Sequence, residues 1–325
     1  FISYFLFFSV LAFLHSRVAG HKEEGNTDKN DFRGKDYAIA ALIVLGTLSI
    51  IYTISINGIR ANQALLEAIR PQPDGVSKNI ERFKEVLLYD NTVGIMETRE
   101  QLASAASQVA SASISQETKI ELFTLAREEM QKQVEKVPND ARYRMFLASI
   151  LMRFGFHDEA IAEIEEGLRI SPKKQLLYYQ LNQAYTLKGD VGKGLDALRL
   201  ALEAEPKNAT ARKEYAAYAI RLGRDELAEE LLASAYGTTA IDDPSIINAY
   251  VAREKFDKVA EIWERRIADN PNNPQYRLSL GAAYIKAGKT QKAIAAVGKA
   301  IELAPDFKEQ GEELIRRIRA GGVEI

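Results

Sequence analysis

Prolines recur at a fixed interval through the C-terminal part of this 325-residue sequence. Pro138, Pro172 and Pro206 are 34 residues apart, and Pro271 and Pro305 show the same spacing. A period of about 20–50 residues is typical of solenoids, whose units bury their apolar faces by stacking on their neighbours. The period therefore predicts a stack of similar units and argues against a single globular core.

Alignment on the prolines brings small residues into register. Small side chains let antiparallel helices approach closely, and glycine can take the left-handed conformation that ends a helix. The turn column holds Gly155, Gly189, Gly223 and Gly288, and two further columns hold Ala160, Gly194, Ala228, Val259 and Ala293, and Gly167, Ala201, Ala235, Arg266 and Ala300. The predicted helical-hairpin units, which together span 141–307, are 141–174, 175–208, 209–239, 240–273 and 274–307.

These columns resemble the tetratricopeptide repeat (TPR). The segments AIAEIEEGLRISP and KAIAAVGKAIELAP are close to the second-helix signature of that family. The resemblance implies an all-α, right-handed α-solenoid whose first helices line a concave groove that takes a protein or peptide ligand.

The ends of the array and one internal unit depart from the pattern. A degenerate unit is predicted at 107–140, and a capping helix and tail at 308–325. In the fourth unit Glu254 replaces the turn glycine, and the interval from Pro206 to Pro271 is 65 residues. We therefore expect a local kink or a loosened joint there.

Two apolar segments precede the repeats. Residues 1–19 begin with FISYFLFFSVLAFL and read as a truncated transmembrane helix, and 37–57 contains a charge-free stretch long enough to cross a bilayer. The polar loop at 20–36 between them predicts a transmembrane helical hairpin. Because the sequence begins inside an apolar run, we expect it to be the C-terminal part of a longer protein.

Charge distribution predicts the orientation of this hairpin. Five cations lie in and beside the loop, and only Arg60 and Arg70 follow the second segment closely. The positive-inside rule then places the loop in the cytoplasm and the repeats outside it. The predicted location is a bacterial inner membrane, multi-pass, with an extracytoplasmic array.

The helical connector, 58–106, carries a second resemblance. The apolar helix, charged loop and last spanning helix are followed by ANQAL, NIERF and ETREQL. This order of parts is similar to the C-terminal end of bacterial O-antigen ligase and polymerase family membrane proteins with repeat tails. The resemblance implies a parent enzyme that transfers an undecaprenyl-linked glycan, with its catalytic residues outside this chain.

Composition excludes several kinds of site. There is no Cys, and three His are too few for an obvious metal or triad site. Lys plus Arg number 43 against 45 Asp plus Glu, so no cationic excess favours nucleic acid. Glu97 and Glu100 share one helix with Arg99 and suit an ion pair better than catalysis. No catalytic residue, metal site or cofactor is predicted.

The predicted binding surface is the inner face of the first helices. Arg153, Arg221 and Lys286 share one column and could face an acidic peptide or an anionic glycan, although a helix C-terminus favours a cation without any ligand. The pattern that grips a peptide C-terminus is not matched, because Ala217 stands where Asn is needed. The candidates are Arg142, Met145, Ser149, Arg153, Tyr179, Gln183, Thr186, Lys213, Arg221, Leu278 and Lys286.

Two functional hypotheses follow. In the first, the chain is the repeat tail of a glycan ligase or polymerase and recruits acceptors or assembly partners. In the second, it is a non-enzymatic, membrane-anchored TPR adaptor for envelope assembly or secretion.

Overall fold

The computed structural model describes residues 34–52, 57–89 and 94–321, together with Phe8 and Ala12. Within these residues the chain is all-helical and contains no strand. The helices α1 to α16, in chain order, are Gly34–Ile51, Asn57–Ile69, Val76–Leu87, Ile95–Val109, Gln116–Lys136, Ala141–Arg153, His157–Ile170, Gln175–Lys188, Val191–Ala204, Ala209–Arg221, Asp225–Tyr236, Pro244–Ala252, Phe256–Asp269, Pro274–Lys286, Thr290–Leu303 and Lys308–Arg319. A 3₁₀ turn, Pro305–Phe307, precedes α16.

The predicted transmembrane hairpin falls mostly outside the described residues. Of its first helix, 1–19, only Phe8 and Ala12 are described, and the loop at 20–36 is described only from residue 34. Helix α1 covers much of the second segment. Among the described residues, no helix is both long enough and apolar enough to cross a membrane. The predicted hairpin is thus not found in this part of the chain.

The chain divides into two compact units, Phe1–Gly155 and Phe156–Ile325. In the first unit α2 pairs with α3, α4 pairs with α5, and α6 packs on both α4 and α5. Its core contains Phe83, Leu102, Leu122, Met130 and Leu147, all nearly inaccessible to solvent.

The second unit is a TPR-like solenoid of helix pairs. Most of its helices pack on the next helix in sequence, and α10 packs on both α11 and α12. The aligned small residues are buried between these helices, as the spacing predicted: Ala160 and Ala293 are fully inaccessible, and Ala228 and Val259 nearly so. The close approach of the helices therefore explains why small residues recur at these aligned positions.

The residues after the prolines start the first helices of several pairs. Asp140, Asn208 and Asn273 each stand two positions after a proline, and each side chain accepts a backbone N–H of the first helical turn. Such N-caps satisfy donors that have no partner inside the helix. The proline ends one helix, and the polar residue then begins the next.

Left-handed residues end the first helices of the pairs. Gly189, Gly223 and Gly288 have φ of 89°, 71° and 72°. In each case the following backbone N–H donates to a carbonyl five residues earlier, which closes a Schellman motif. Glu254 has φ 54° and the next N–H, of Lys255, makes the same bond to Tyr250 at 2.9 Å. The fourth unit therefore keeps the turn geometry without the glycine.

Replacing Glu254 by Gly is expected to raise the free energy of unfolding by about 1 kcal/mol, because a left-handed backbone penalises a residue with a Cβ. Urea unfolding followed by circular dichroism measures the change. The reciprocal variant Gly288→Glu, at a site with open space for a side chain, should lose a similar amount. No change in either variant would contradict this account of the turn.

An ion pair and two ring contacts connect the segments around the fourth unit, where a kink or a loosened joint was expected. Arg266 forms an ion pair with Asp242, with nitrogen–oxygen distances of 2.7 Å. The guanidinium carbon lies 4.6 Å from the centre of the Trp263 ring and 5.2 Å from that of Tyr276. The large residue in a small-residue column thus makes contacts of its own, and the kink or loosened joint stays a prediction.

Ion pairs connect successive helix pairs of the second unit. Lys188 pairs with Asp158, Lys255 with Asp225 and Lys289 with Asp257. In each ion pair the aspartate lies in the first turn of the second helix of one helix pair, and the lysine lies just before the second helix of a following pair. The helix dipole favours an aspartate in a first turn. The alignment of the repeat units did not predict these ion pairs, because their lysines and aspartates do not all stand at equivalent positions of the units.

Candidate functional site

Helices α8, α9 and α10 enclose a pocket of about 260 Å³, hereafter the α8–α10 pocket. Helices α8 and α10 are the first helices of adjacent pairs, so the pocket lies on the face predicted to bind. Its lining residues are Tyr179, Asn182, Leu198, Thr210, Glu214, Tyr218 and Arg221.

A network of hydrogen bonds fixes the floor of the pocket. The Thr186 hydroxyl donates to the carbonyl of Asn182 at 2.7 Å, so the Tyr218 hydroxyl, 2.6 Å away, donates to Thr186. The Asn182 amide donates to the carbonyl of Gly194 at 3.0 Å. The side chains of both helices are thereby held in one orientation.

Gly194 provides the space for this network. A Cβ at this position would lie 2.9 Å from the Tyr218 hydroxyl oxygen and 3.2 Å from both the Asn182 amide nitrogen and the Thr186 hydroxyl oxygen. The first distance is shorter than real Cβ contacts, so any side chain would displace the tyrosine. In this unit the small-residue column therefore also shapes the α8–α10 pocket.

Two opposite charges line the pocket. Glu214 accepts a hydrogen bond from the Ser245 hydroxyl at 2.6 Å, and burial together with this carboxylate raises the pKa of Tyr179. Arg221 is exposed at the end of α10 and has no ion pair or hydrogen bond within the described residues. Lys213, by contrast, is paired with Asp243 at 2.5 Å. The pocket therefore presents one carboxylate and one guanidinium that no opposite charge neutralises.

The predicted binding residues of the second compact unit lie in different surroundings. Tyr179 and Arg221 line the α8–α10 pocket, and Thr186 supports its floor. Gln183 and Lys213 are not among the lining residues. Leu278 and Lys286 lie farther along, on α14.

The predicted binding residues of the first compact unit lie on α6. Arg142 pairs with Glu100 at 3.4 Å and Asp140 at 3.6 Å, so its charge is already neutralised. Its guanidinium carbon also lies 4.7 Å from the centre of the Tyr143 ring. The remaining candidates on this helix are Met145, Ser149 and Arg153. A role for them in binding stays a prediction.

Sequence reasoning missed Asn182, Glu214 and Tyr218. Two of these are one position away from predicted residues, Gln183 and Lys213. Their helical spacing could have indicated them. Glu214, Tyr218 and Arg221 are spaced by four and three residues and therefore share one face of α10, and Tyr179, Asn182 and Thr186 likewise share one face of α8. The column alignment fixed the repeat period, but it did not fix the rotation of each helix.

Comparison with known families matches two parts of the chain. The tetratricopeptide repeat family model matches residues 121–174 and 246–306. These segments are tetratricopeptide repeats. The TPR match does not include the segments on which the ligase resemblance rests. The α8–α10 pocket, within 175–221, lies between the two matched TPR segments.

Several solved TPR structures are similar to parts of the chain. The crystal structure of YrrB, described as a TPR protein with an unusual peptide-binding site, has 20% identity and a TM-score of 0.37, and the match covers 55% of this chain and 94% of that one. A TPR protein from Parabacteroides merdae has 17% identity and a TM-score of 0.40, with 70% and 94% covered. The C-terminal part of a TPR repeat-containing protein from Cytophaga hutchinsonii has 16% identity and a TM-score of 0.44, with 68% and 88% covered. No curated protein matches the sequence.

Proposed function

We propose that the chain is a TPR module that binds a peptide or an extended protein segment, and that the α8–α10 pocket is part of its binding surface. The observation that carries this proposal is the fixed, partly apolar pocket between two first helices. It combines an apolar wall, Leu198, with tyrosine and amide groups held by their own hydrogen bonds. Such pre-organised polar groups bind a peptide at a low ordering cost.

Replacing Tyr179 by Ala is expected to weaken peptide binding by roughly tenfold or more, because aromatic residues in pockets commonly dominate binding energy. The probe is a peptide selected from a displayed random dodecamer library on the purified full chain, and the measurement is isothermal titration calorimetry.

The adjacent Tyr178 supplies a matched control. It lies on the same helix, but it is not a lining residue, and its hydroxyl donates to the carbonyl of Pro172 at 2.8 Å. Tyr178→Ala should change affinity by less than about twofold. Equal effects of the two substitutions, or none from Tyr179→Ala, would overturn the proposed site.

We further propose that this binding module is carried beside a bacterial inner membrane as the repeat tail of an O-antigen ligase or polymerase-like glycan transferase, with the repeats outside the cytoplasm. The support is the uncharged stretch at 37–56, the order of parts in 1–102, and the exposed leucines of α1, namely Leu42, Leu45 and Leu48. The module would recruit acceptor or assembly partners, and an undecaprenyl-linked glycan would be handled elsewhere in the parent protein.

Protease treatment of intact spheroplasts that express the full gene tests this placement. Cleavage of the repeats without lysis is the expected result. Protection until lysis would place them in the cytoplasm and overturn the proposed topology. A gene that encodes no multi-spanning region would favour the alternative, a membrane-anchored TPR adaptor for envelope assembly or secretion.

A further inference from the structure

We propose that the α8–α10 pocket selects a peptide with a basic and an acidic side chain about three residues apart, and that it thereby fixes the direction in which the peptide lies. The basic side chain would meet Glu214 and the acidic side chain Arg221. This inference rests on the proposed function, because it specifies the ligand of the same pocket.

The spacing follows from the geometry of α10. Glu214 and Arg221 are seven residues apart on one helix, which is about two turns and about 10 Å along the axis. Both line the pocket, so they face the same side. A peptide in the polyproline II conformation advances about 3.1 Å per residue and has three residues per turn, so side chains three positions apart lie on the same side and span about this distance.

Neither charge forms an ion pair within the described residues. Glu214 accepts a hydrogen bond from the Ser245 hydroxyl, which carries no charge, and Arg221 has no ion-pair partner. The neighbouring cation Lys213 is paired with Asp243. The pocket therefore has a free negative end and a free positive end.

A helix end lies beside each of these charges. Arg221 is the last residue of α10, where a cation is favoured even without a ligand. Glu214 is partly buried in the middle of the same helix, and its carboxylate accepts a hydrogen bond from Ser245 in the first turn of α12, where an anion is favoured. Both side chains are therefore held in place before a ligand binds, and each can still take an opposite charge from a peptide.

The region between the charges is neutral. Asn182 and Tyr218 are committed to the floor network, and Leu198 is buried. The centre can therefore accept uncharged residues, while opposite charges at the two ends provide orientation. A peptide placed in reverse would put like charges together at both ends, which is the repulsion that gives specificity.

The test is a charge exchange that leaves the net charge unchanged. The full chain and the variant Glu214→Arg/Arg221→Glu are each used to select peptides from the displayed random dodecamer library. The native chain should enrich one order of a basic and an acidic residue about three positions apart, and the variant should enrich the opposite order. A synthetic peptide with the native order should lose roughly tenfold or more in affinity for the variant, and the charge-reversed peptide should recover it.

Two further variants keep the result interpretable. Lys207→Glu changes an exposed cation outside the pocket and should leave the selected order unchanged. Glu214→Gln removes one charge with little change of shape, and it should weaken the preference for the basic residue alone, even if the double variant folds poorly.

The outcomes separate this inference from the proposed function. Selected peptides whose binding depends on Tyr179 but shows no charge order, or an order that survives the exchange, would overturn the charge-reading proposal and leave the binding site in place. Binding that is insensitive to Tyr179→Ala would overturn both.

Discussion

Replacing Arg99 by Met is expected to lower the free energy of unfolding by about 3 kcal/mol, because it removes the buried partner of Glu129 and leaves that carboxylate only with Lys132, whose side chain is 59% exposed. The Arg99 side chain is 3% exposed and that of Glu129 is 9% exposed. Their nitrogen and oxygen atoms are 3.0 Å apart, across the α4–α5 pair. Urea unfolding followed by circular dichroism measures the loss.

A third buried residue belongs to this cluster. Arg99 also donates to the side-chain oxygen of Gln133 at 2.8 Å, and Gln133 is fully inaccessible to solvent. Loss of the arginine would therefore leave the amide oxygen of Gln133 without this donor and the carboxylate of Glu129 with Lys132 as its remaining partner. A buried group that loses its donor adds to the cost.

The combined variant Arg99→Met/Glu129→Leu/Gln133→Met should recover most of the lost stability, because apolar side chains of similar size often replace buried ion clusters without loss. Arg82→Met supplies the control. Arg82 pairs with Glu85 on the surface of α3, and its loss should change stability far less. Equal losses from Arg82→Met and Arg99→Met would show that burial does not determine the effect.

Replacing Ala293 by Leu is expected to lower the free energy of unfolding by about 1–3 kcal/mol, because the added carbons have no space between α14 and α15. Ala293 is fully inaccessible. The two helices approach so closely that a Cβ on Gly281 would lie 3.2 Å from a methyl of Val297 and 3.6 Å from the Ala293 carbonyl oxygen.

Ala295→Leu provides the matched control for this substitution. Ala295 lies on the same helix and is exposed, so the added carbons meet solvent. Urea unfolding of both variants should show a loss only for Ala293→Leu. If the two variants have the same free energy of unfolding, close packing does not explain why the aligned positions hold small residues.

The repeat architecture could be predicted from the sequence because period and packing have one cause. Ala160 and Ala293 occupy equivalent positions in different units, and each is small because a neighbouring helix lies against it. The left-handed turn at Gly189 follows from the same register. Features that every unit must share leave a periodic signal.

The details of the candidate site leave a weaker signal. Glu214 and Tyr218 were missed because a small rotation of α10 decides which side chains enter the pocket, and the period does not determine that rotation. The Arg99–Glu129 pair joins residues 30 positions apart outside the regular repeats. The sequence indicated an ion pair for Arg99, but its partner depends on how α4 and α5 pack.

The lysine–aspartate pairs between successive helix pairs have a mechanical consequence. The side chains of Lys188, Lys255 and Lys289 are 32–45% exposed, so dissolved ions reach these links and weaken them without disturbing the apolar core. Because these ion pairs join neighbouring helix pairs, the resistance of the second unit to stretching should depend on ionic strength. We expect this unit to stretch more easily under load in concentrated salt than in dilute buffer.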